Sequence, residues 1–400
     1  MKYVIVFFTL NFVFFTFSTL VSLLPTKNIK KNVAISITEM ESDGCYPFGI
    51  INKREFQMDN FTDAIVLSQN YSIDNKKPVL SALNATFAIR KGNPLLETKR
   101  QIDSEDDLKF TNYARYWHGN TFLIRPFLMF TDYSEIRWIL YVVSSLLSLI
   151  LGIKLFQTIG MRKTIAFFLG LLFVNVFITQ FSIQFFTTVN LSIIACILIC
   201  KHFNNPQKIL LVSFIFGCLT SYFDLLTAPL LTCGLPLIIY ISAQKEKSFV
   251  KRLSSLCLFA VLWGVGYALT WVSKWTVGTV FTDINVFKDA LDTTLYRISS
   301  EDFSRFNAII DNYKLLPALF IFMVLVVLTP LLVLFFNKKA LKTNLLLLIV
   351  AAFPYIWFLV VAQHSWWHSW FTYRIQAISI ISLFFIFINF ISWDKIGIKK

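Results

Sequence analysis

The chain has 400 residues, is 56% hydrophobic with 43 Phe and 10 Trp, and is only 15% charged. A soluble fold cannot cover that much apolar surface, so lipid is its expected solvent. The formal net charge of +14 would suit a nucleic-acid binder, but it is dispersed in small clusters between apolar runs with no basic stripe, and no nucleic-acid partner is expected.

The opening MKYVIVFFTLNFVFFTFSTLVSLL holds an apolar run of about 20 residues, longer than a signal-peptide core and without a small-x-small cleavage site. It reads as an uncleaved first span, residues 1–25. A polar segment, 26–135, follows. Apolar runs near 138–158, 164–180, 188–200, 209–221, 226–243 and 254–273 occupy 136–274. A second polar segment, 275–314, precedes runs near 315–336, 343–362 and 373–392 in the last stretch, 315–400. The expected fold is an all-α integral membrane protein of about ten transmembrane helices with a large loop after the first. The runs at 188–200 and 209–221 fall short of the roughly 20 residues needed to cross, and are expected to be half-buried or broken. Five of the six Cys lie in apolar segments and Cys45 stands alone in the large polar region, so no disulfide framework is implied.

Orientation follows from the short connections. Lys2, Arg162 with Lys163, Lys201 with Lys208, Lys245 to Arg252, Lys338 to Lys342 and the Lys395 to Lys400 tail alternate with connections at 181–187, 222–225 and 363–371 that carry no Lys or Arg. The bias places the chain in the cell membrane as a multi-pass protein with both termini cytoplasmic. The two polar segments are then extracytoplasmic.

Four motifs fall on that outer side. In Asp59-Asn60-Phe61-Thr62-Asp63, Asp59 or Asn60 reads as a helix N-cap, with Asp59 and Asp63 one turn apart on one face. Each acid is either a cap and solvated charge or a functional carboxylate, and Asp63 precedes an apolar stretch expected to lie on the membrane surface. In Tyr113-Ala114-Arg115-Tyr116-Trp117-His118-Gly119, continuing to Arg125, a helix would put Arg115, His118, Phe122 and Arg125 on one face. Two guanidiniums and an imidazole suit a phosphate, whereas interfacial anchoring or snorkelling is the plainer reading. Asp224, in Ser221-Tyr222-Phe223-Asp224, is an acid between long apolar segments, so it is either a functional group or a paired acid fixing a hairpin. His364 and His368 have the i, i+4 spacing of metal ligands, but no third ligand is evident, and a divalent cation is neither required nor excluded. Trp366, Trp367 and Trp370 between and beside them suit a sugar or isoprenoid surface or an ordinary aromatic belt. Arg374 stands at the start of the last span as a phosphate partner. Gln184 and the acids Asp283, Asp289, Asp292, Glu301 and Asp302 read mostly as a solvated face.

A first span, a large outer loop opening on an acidic motif, then many spans with Arg, His and aromatic residues at their outer mouths resembles the GT-C superfamily of membrane glycosyltransferases. The motifs DNFTD, YARYWHG, SYFDLLT and WWHSWFTYR also look like those of multi-span membrane proteins of low-GC Gram-positive bacteria that carry no assigned substrate. The first resemblance implies transfer of a sugar from a polyprenyl-phosphate donor to a glycan, lipid or protein acceptor. It implies a general base in the first outer loop, which maps onto Asp63 or Asp59, with Asp43 as a third candidate. Arg115, Tyr116, His118, Asp224, His364, His368 and Arg374 would then bind substrate, with Arg115, His118 and Arg374 facing the departing phosphate. A transporter or lipid flippase, or a polysaccharide polymerase or ligase, is the competing expectation.

Overall fold

The computed structural model describes residues 1–89, 92–244, 248–301, 303–317 and 340–391. The span expected near 315–336 lies almost wholly outside the described residues, as do Asp302, Lys245, Lys247, Lys338, Lys339 and the Lys395 to Lys400 tail.

The chain opens with α1 (Lys2–Ser22). The long polar segment holds α2 (Thr26–Asp43), α3 (Asn60–Ser72), α4 (Pro78–Asn84), β1 (Thr86–Ala88), α5 (Pro94–Ile102), β2 (Phe110–Asn112) and α6 (Gly119–Ile124). Then come α7 (Tyr133–Ile159), α8 (Met161–Leu172), α9 (Ile183–His202), α10 (Pro206–Phe223), α11 (Leu231–Ala243) and α12 (Phe249–Phe281). The second polar segment carries α13 (Val286–Ile298) and α14 (Arg305–Tyr313). After it stand α15 (Leu341–Ala351), α16 (Phe353–Val360), α17 (Ala362–Trp367), α18 (Ser369–Thr372) and α19 (Ala377–Phe390).

Among the described residues, 7 segments are long and apolar enough to cross a membrane: α1, α7, α9, α10, α12, Leu341–Val360 and Ser369–Phe390. Two runs read as spans are shorter. Residues 164–180 split into α8 and a 3-10 turn, Val176–Phe181, with Asn175 left-handed between them, and α11 has 13 residues. Conversely, the segments expected to be short or broken are whole helices of 20 and 18 residues. The early turns of α9 carry Gln184, Thr187, Thr188 and Asn190, which lower its hydropathy but are buried against other helices rather than set in lipid. Asn190 donates to Ser144 on α7 at 2.7 Å and Ser144 to Gln180 at 2.5 Å, the kind of partnering that makes polar groups tolerable in a bundle.

Lipid is written on the outside of the bundle. On α7, Trp138, Val142, Leu146, Leu149, Ile153 and Phe156 are all exposed. Their spacing of three and four makes one apolar stripe with no protein to cover it. At the centre, α10 and α12 cross at backbone contact. A Cβ on Gly217 would lie 2.1 Å from the Trp263 carbonyl oxygen, and one on Gly266 would lie 2.4 Å from that of Phe214. Small residues let helix backbones approach this closely where no hydrophobic effect drives them together. Ser213 adds a hydrogen bond to the Phe259 carbonyl at 2.6 Å.

The long polar segment folds on its own small core. Ile29, Val33, Ile37 and Met40 of α2 pack with Ala64, Val66 and Leu67 of α3, and the cluster continues onto Ile136 and Leu140 of α7. The AIVLSQ stretch after Asp63 therefore lies inside this core and not, as expected, on a membrane surface. Strands β1 and β2 pair antiparallel, Thr86 opposite Asn112. The segment is fastened to the bundle by α12, whose 33 residues span about 50 Å at 1.5 Å per residue, some 20 Å more than the hydrocarbon core. Near its C-terminal end the buried Lys274 donates to the Leu83 carbonyl at 2.8 Å.

Candidate functional site

Asp59 caps α3 as the sequence suggested, accepting the Thr62 N–H at 3.0 Å. Asp63 lies one turn on, fully buried. Its carboxylate meets the Arg137 guanidinium at 3.2 Å, the Ser182 hydroxyl at 3.2 Å and the Ile183 N–H, the first residue of α9, at 3.0 Å. Arg137 also donates to Asn60 at 2.6 Å. Asp63 is thus neutralised and saturated, and it joins α3, α7 and α9 at one point. Burial raises its pKa and Arg137 opposes the rise. Asp43 sits exposed at the C-terminal end of α2, next to Gly44, whose carbonyl accepts from Asn60 at 3.0 Å.

Asp59 belongs to a second arrangement. Gln184 donates its amide N–H to Asp59 and accepts the Thr227 hydroxyl at 3.0 Å. The Thr227 backbone N–H reaches both oxygens of Asp224 at 3.1 Å, and Thr188 donates to Asp224 at 2.7 Å. Two buried carboxylates are therefore linked through one amide and one threonine. Burial is the first cause of both proton affinities: Asp59 rises to about 7, despite the bonds from Thr62, and Asp224 to about 6, held down by Thr188. Carboxylates so placed hold a proton near neutral pH.

The Asp224 turn leads to an open space. Leu226, left-handed at φ 70°, turns the chain so that its side chain lines a cleft of about 460 Å³. Tyr267, Trp271 and Trp275 of α12, Ala290 of α13 and Trp357 of α16 supply apolar walls. The cations are Arg115 and Arg297. Their guanidiniums lie 5.6 and 5.5 Å from the centre of the Tyr116 ring, and Arg297 donates to the Tyr116 hydroxyl. Arg115 pairs with Asp289 of α13 at 3.1 Å, whereas Arg297 has no carboxylate partner among the described residues. The Trp357 indole N–H and the Arg115 Nε likewise have no hydrogen-bond partner among those residues. Buried polar atoms are rarely left so unless something else meets them.

The helical face drawn through Arg115, His118 and Arg125 does not form. His118 is left-handed at φ 57° and precedes α6, so Arg115 points to α13 while His118 turns inward. The His118 ring is held by the Tyr113 carbonyl at 2.8 Å, and burial lowers its pKa to about 3. It is a neutral brace rather than a phosphate cation. Arg125, fully buried, donates to the carbonyls of Val21, Asn70 and Leu24, tying α1 to α3; it does not snorkel. Arg374 gives its N–H groups to the carbonyls of Trp370 and Glu55 and lies over Phe185, so it too is structural.

His364 reaches the Leu226 carbonyl at 2.8 Å, and its ring centre is 4.8 Å from that of His368. Burial, then the charge of Arg297, lowers both imidazoles, His368 to about 4. His364 braces the Leu226 turn as a neutral ring, and His368 packs against His364 and Phe371. Among the described residues no group of three or more His, Cys, Asp or Glu is placed to hold a metal ion.

Arg297 and Arg137 are absent from the sequence reading of the site. Val286, Ala290, Thr293 and Arg297 follow 4, 3, 4 spacing along α13, and three of them line the cleft, so an inward stripe ending in Arg was the available signal. Comparison with protein-family models, curated proteins and solved structures finds no match for this chain.

Proposed function

We propose that this membrane protein is a glycosyltransferase that takes a sugar from a polyprenyl-phosphate donor and passes it to a glycan, lipid or protein acceptor on the extracytoplasmic side, with both termini cytoplasmic. The observation that carries the reading is Arg297, a half-buried guanidinium without a carboxylate, beside Arg115 in an apolar cleft. Isoprenoid chain suits the indole walls, and phosphate suits two guanidiniums.

In this reaction the acceptor oxygen bonds to the anomeric carbon as the bond from that carbon to the phosphate oxygen breaks. The electron pair leaves with the lipid phosphate, whose growing charge Arg115 and Arg297 meet. The acceptor proton passes to a carboxylate. Asp224, two residues before the cleft-lining Leu226, is the assigned base, and Gln184 and Thr227 couple its protonation to that of Asp59. Asp63, already neutralised by Arg137, is set aside in favour of this pair.

The test is transfer from a radiolabelled polyprenyl-phosphate sugar in membranes carrying the protein. Asp224→Asn and Arg297→Ala are each expected to cut it by about a hundredfold or more with the protein still inserted. Undiminished transfer by both variants would sink the assignment. Movement of intact donor across the bilayer, with the sugar–phosphate bond unbroken, would favour a flippase instead.

A further inference from the structure

Helix α13 has a cleft on either side. Arg297 faces the apolar cleft, and its neighbour Tyr296 lines a second one of about 480 Å³. Leu295, Ser299, Glu301, Gln363, Trp366 and Trp367 complete the second lining. The two spaces differ in kind. Trp367 is 60% exposed and Tyr296 58%, so two aromatic faces stand open. Trp366 beside them is fixed, stacked on Phe303 with ring centres 4.5 Å apart and donating its indole N–H to Asp311 at 2.9 Å. Gln363 donates to the Tyr296 hydroxyl at 3.3 Å, which leaves its amide oxygen free, and the exposed Glu301 carboxylate has no partner among the described residues.

Aromatic anchors at headgroup depth would account for Trp367 and Tyr296 alone. They do not account for a carboxylate and an amide in the same cleft, since an unpaired acid against lipid is costly. Ring faces beside hydrogen-bonding groups are what a sugar needs, because it has apolar C–H faces and a rim of hydroxyls.

We propose that this second cleft binds a neutral glycan chain, with Trp367 and Tyr296 against the sugar faces and Glu301 and Gln363 on hydroxyl groups. Calling that glycan the acceptor rests on the transferase reading above; sugar binding by the cleft does not. The Glu301 charge selects against acidic glycans. A chain held here has its growing end at the α13 edge, across which Arg297 would hold the donor phosphate.

The test uses the full chain in lipid nanodiscs free of sugar-based detergent, with neutral tetrasaccharides of glucose, galactose, mannose and N-acetylglucosamine as probes. Tryptophan fluorescence and its quenching by iodide report occupancy. At least one probe is expected to shield the fluorescence saturably. Trp367→Ala should weaken that binding about tenfold and Trp367→Phe much less, as expected where one exposed ring is an anchor. Glu301→Gln should weaken it several-fold. The proposal is overturned if no tetrasaccharide binds, or if binding ignores both Trp367→Ala and Glu301→Gln. Donor cleavage without tetrasaccharide binding would defeat this inference and leave the transferase reading standing. Tetrasaccharide binding with no cleavage of a polyprenyl-phosphate sugar would do the reverse.

Discussion

Two regions gather buried charge, and they treat it in opposite ways. At the Asp63–Arg137 junction the charges cancel, and the carboxylate accepts from a guanidinium, a hydroxyl and a helix N-terminus. At the Arg115–Arg297 cleft one guanidinium pairs with a partly exposed acid, the other has no carboxylate among the described residues, and neighbouring polar atoms are left unmet. Both Asp63 oxygens are met at the first region, whereas the second has a guanidinium without a carboxylate facing open space. Saturation, more than residue type, separates a joint from a place where a ligand sits.

The contrast is broken most directly at the joint. Arg137→Ala strands a buried carboxylate, which typically costs about 3–5 kcal/mol. It should appear as loss of monodisperse protein on size exclusion and a fall in Tm, with activity lost only in proportion. Arg297→Ala should do the opposite, cutting sugar transfer about 10²–10³-fold, as loss of one charge-stabilising donor does, with Tm nearly unchanged. If both variants merely unfold, the distinction between the regions fails. Gly217→Ala at the α10–α12 crossing comes next, at about 1–3 kcal/mol of overpacking, read as a lowered Tm.

Smaller and more diagnostic is the pH response of Asp59. Its folded-state pKa of about 7 lies above the carboxylate's ordinary 3.8, so the folded protein holds a proton that the unfolded chain has lost. Stability should therefore fall as pH rises from about 4 to about 7, a slope that Asp59→Asn removes from the thermal unfolding profile. Transfer itself should rise over the same interval as the Asp59–Asp224 pair ionises. A flat activity profile from pH 5 to 8 would exclude the pair from the proton step. Least affected should be His118→Gln, since the neutral imidazole braces the Tyr113 carbonyl and the amide can do the same; transfer within about twofold of wild type is expected.

The membrane helices were legible because lipid leaves the apolar stripe of α7 uncovered, and the Asp59 cap because capping is local chemistry. Span ends were not. Gln184 and Asn190 lower hydropathy where α9 is buried by protein, and a linear reading sees a shortened helix. The site was half legible. Asp59, Arg115, Tyr116, Asp224 and His364 do converge around the Leu226 turn, through contacts such as His364 to the Leu226 carbonyl. The phosphate trio of Arg115, His118 and Arg374 dispersed for two reasons. One left-handed residue, His118, cancels a helical face, and backbone carbonyls absorb Arg374. Arg297 was hidden because an amphipathic loop helix looks solvated until its other face is seen to be covered.

The length of α12 sets a condition on the whole arrangement. A rod about 20 Å taller than the hydrocarbon slab carries the cleft at a height fixed by how far it leans. A thicker bilayer would stand it upright and a thinner one would let it tip. Trp271, Trp275 and Lys274, all on its upper third, would rise or sink together against the lipid headgroups. If the cleft takes the lipid-borne donor proposed above, membrane thickness would set how easily that donor reaches the two guanidiniums, without any change in the residues that meet it.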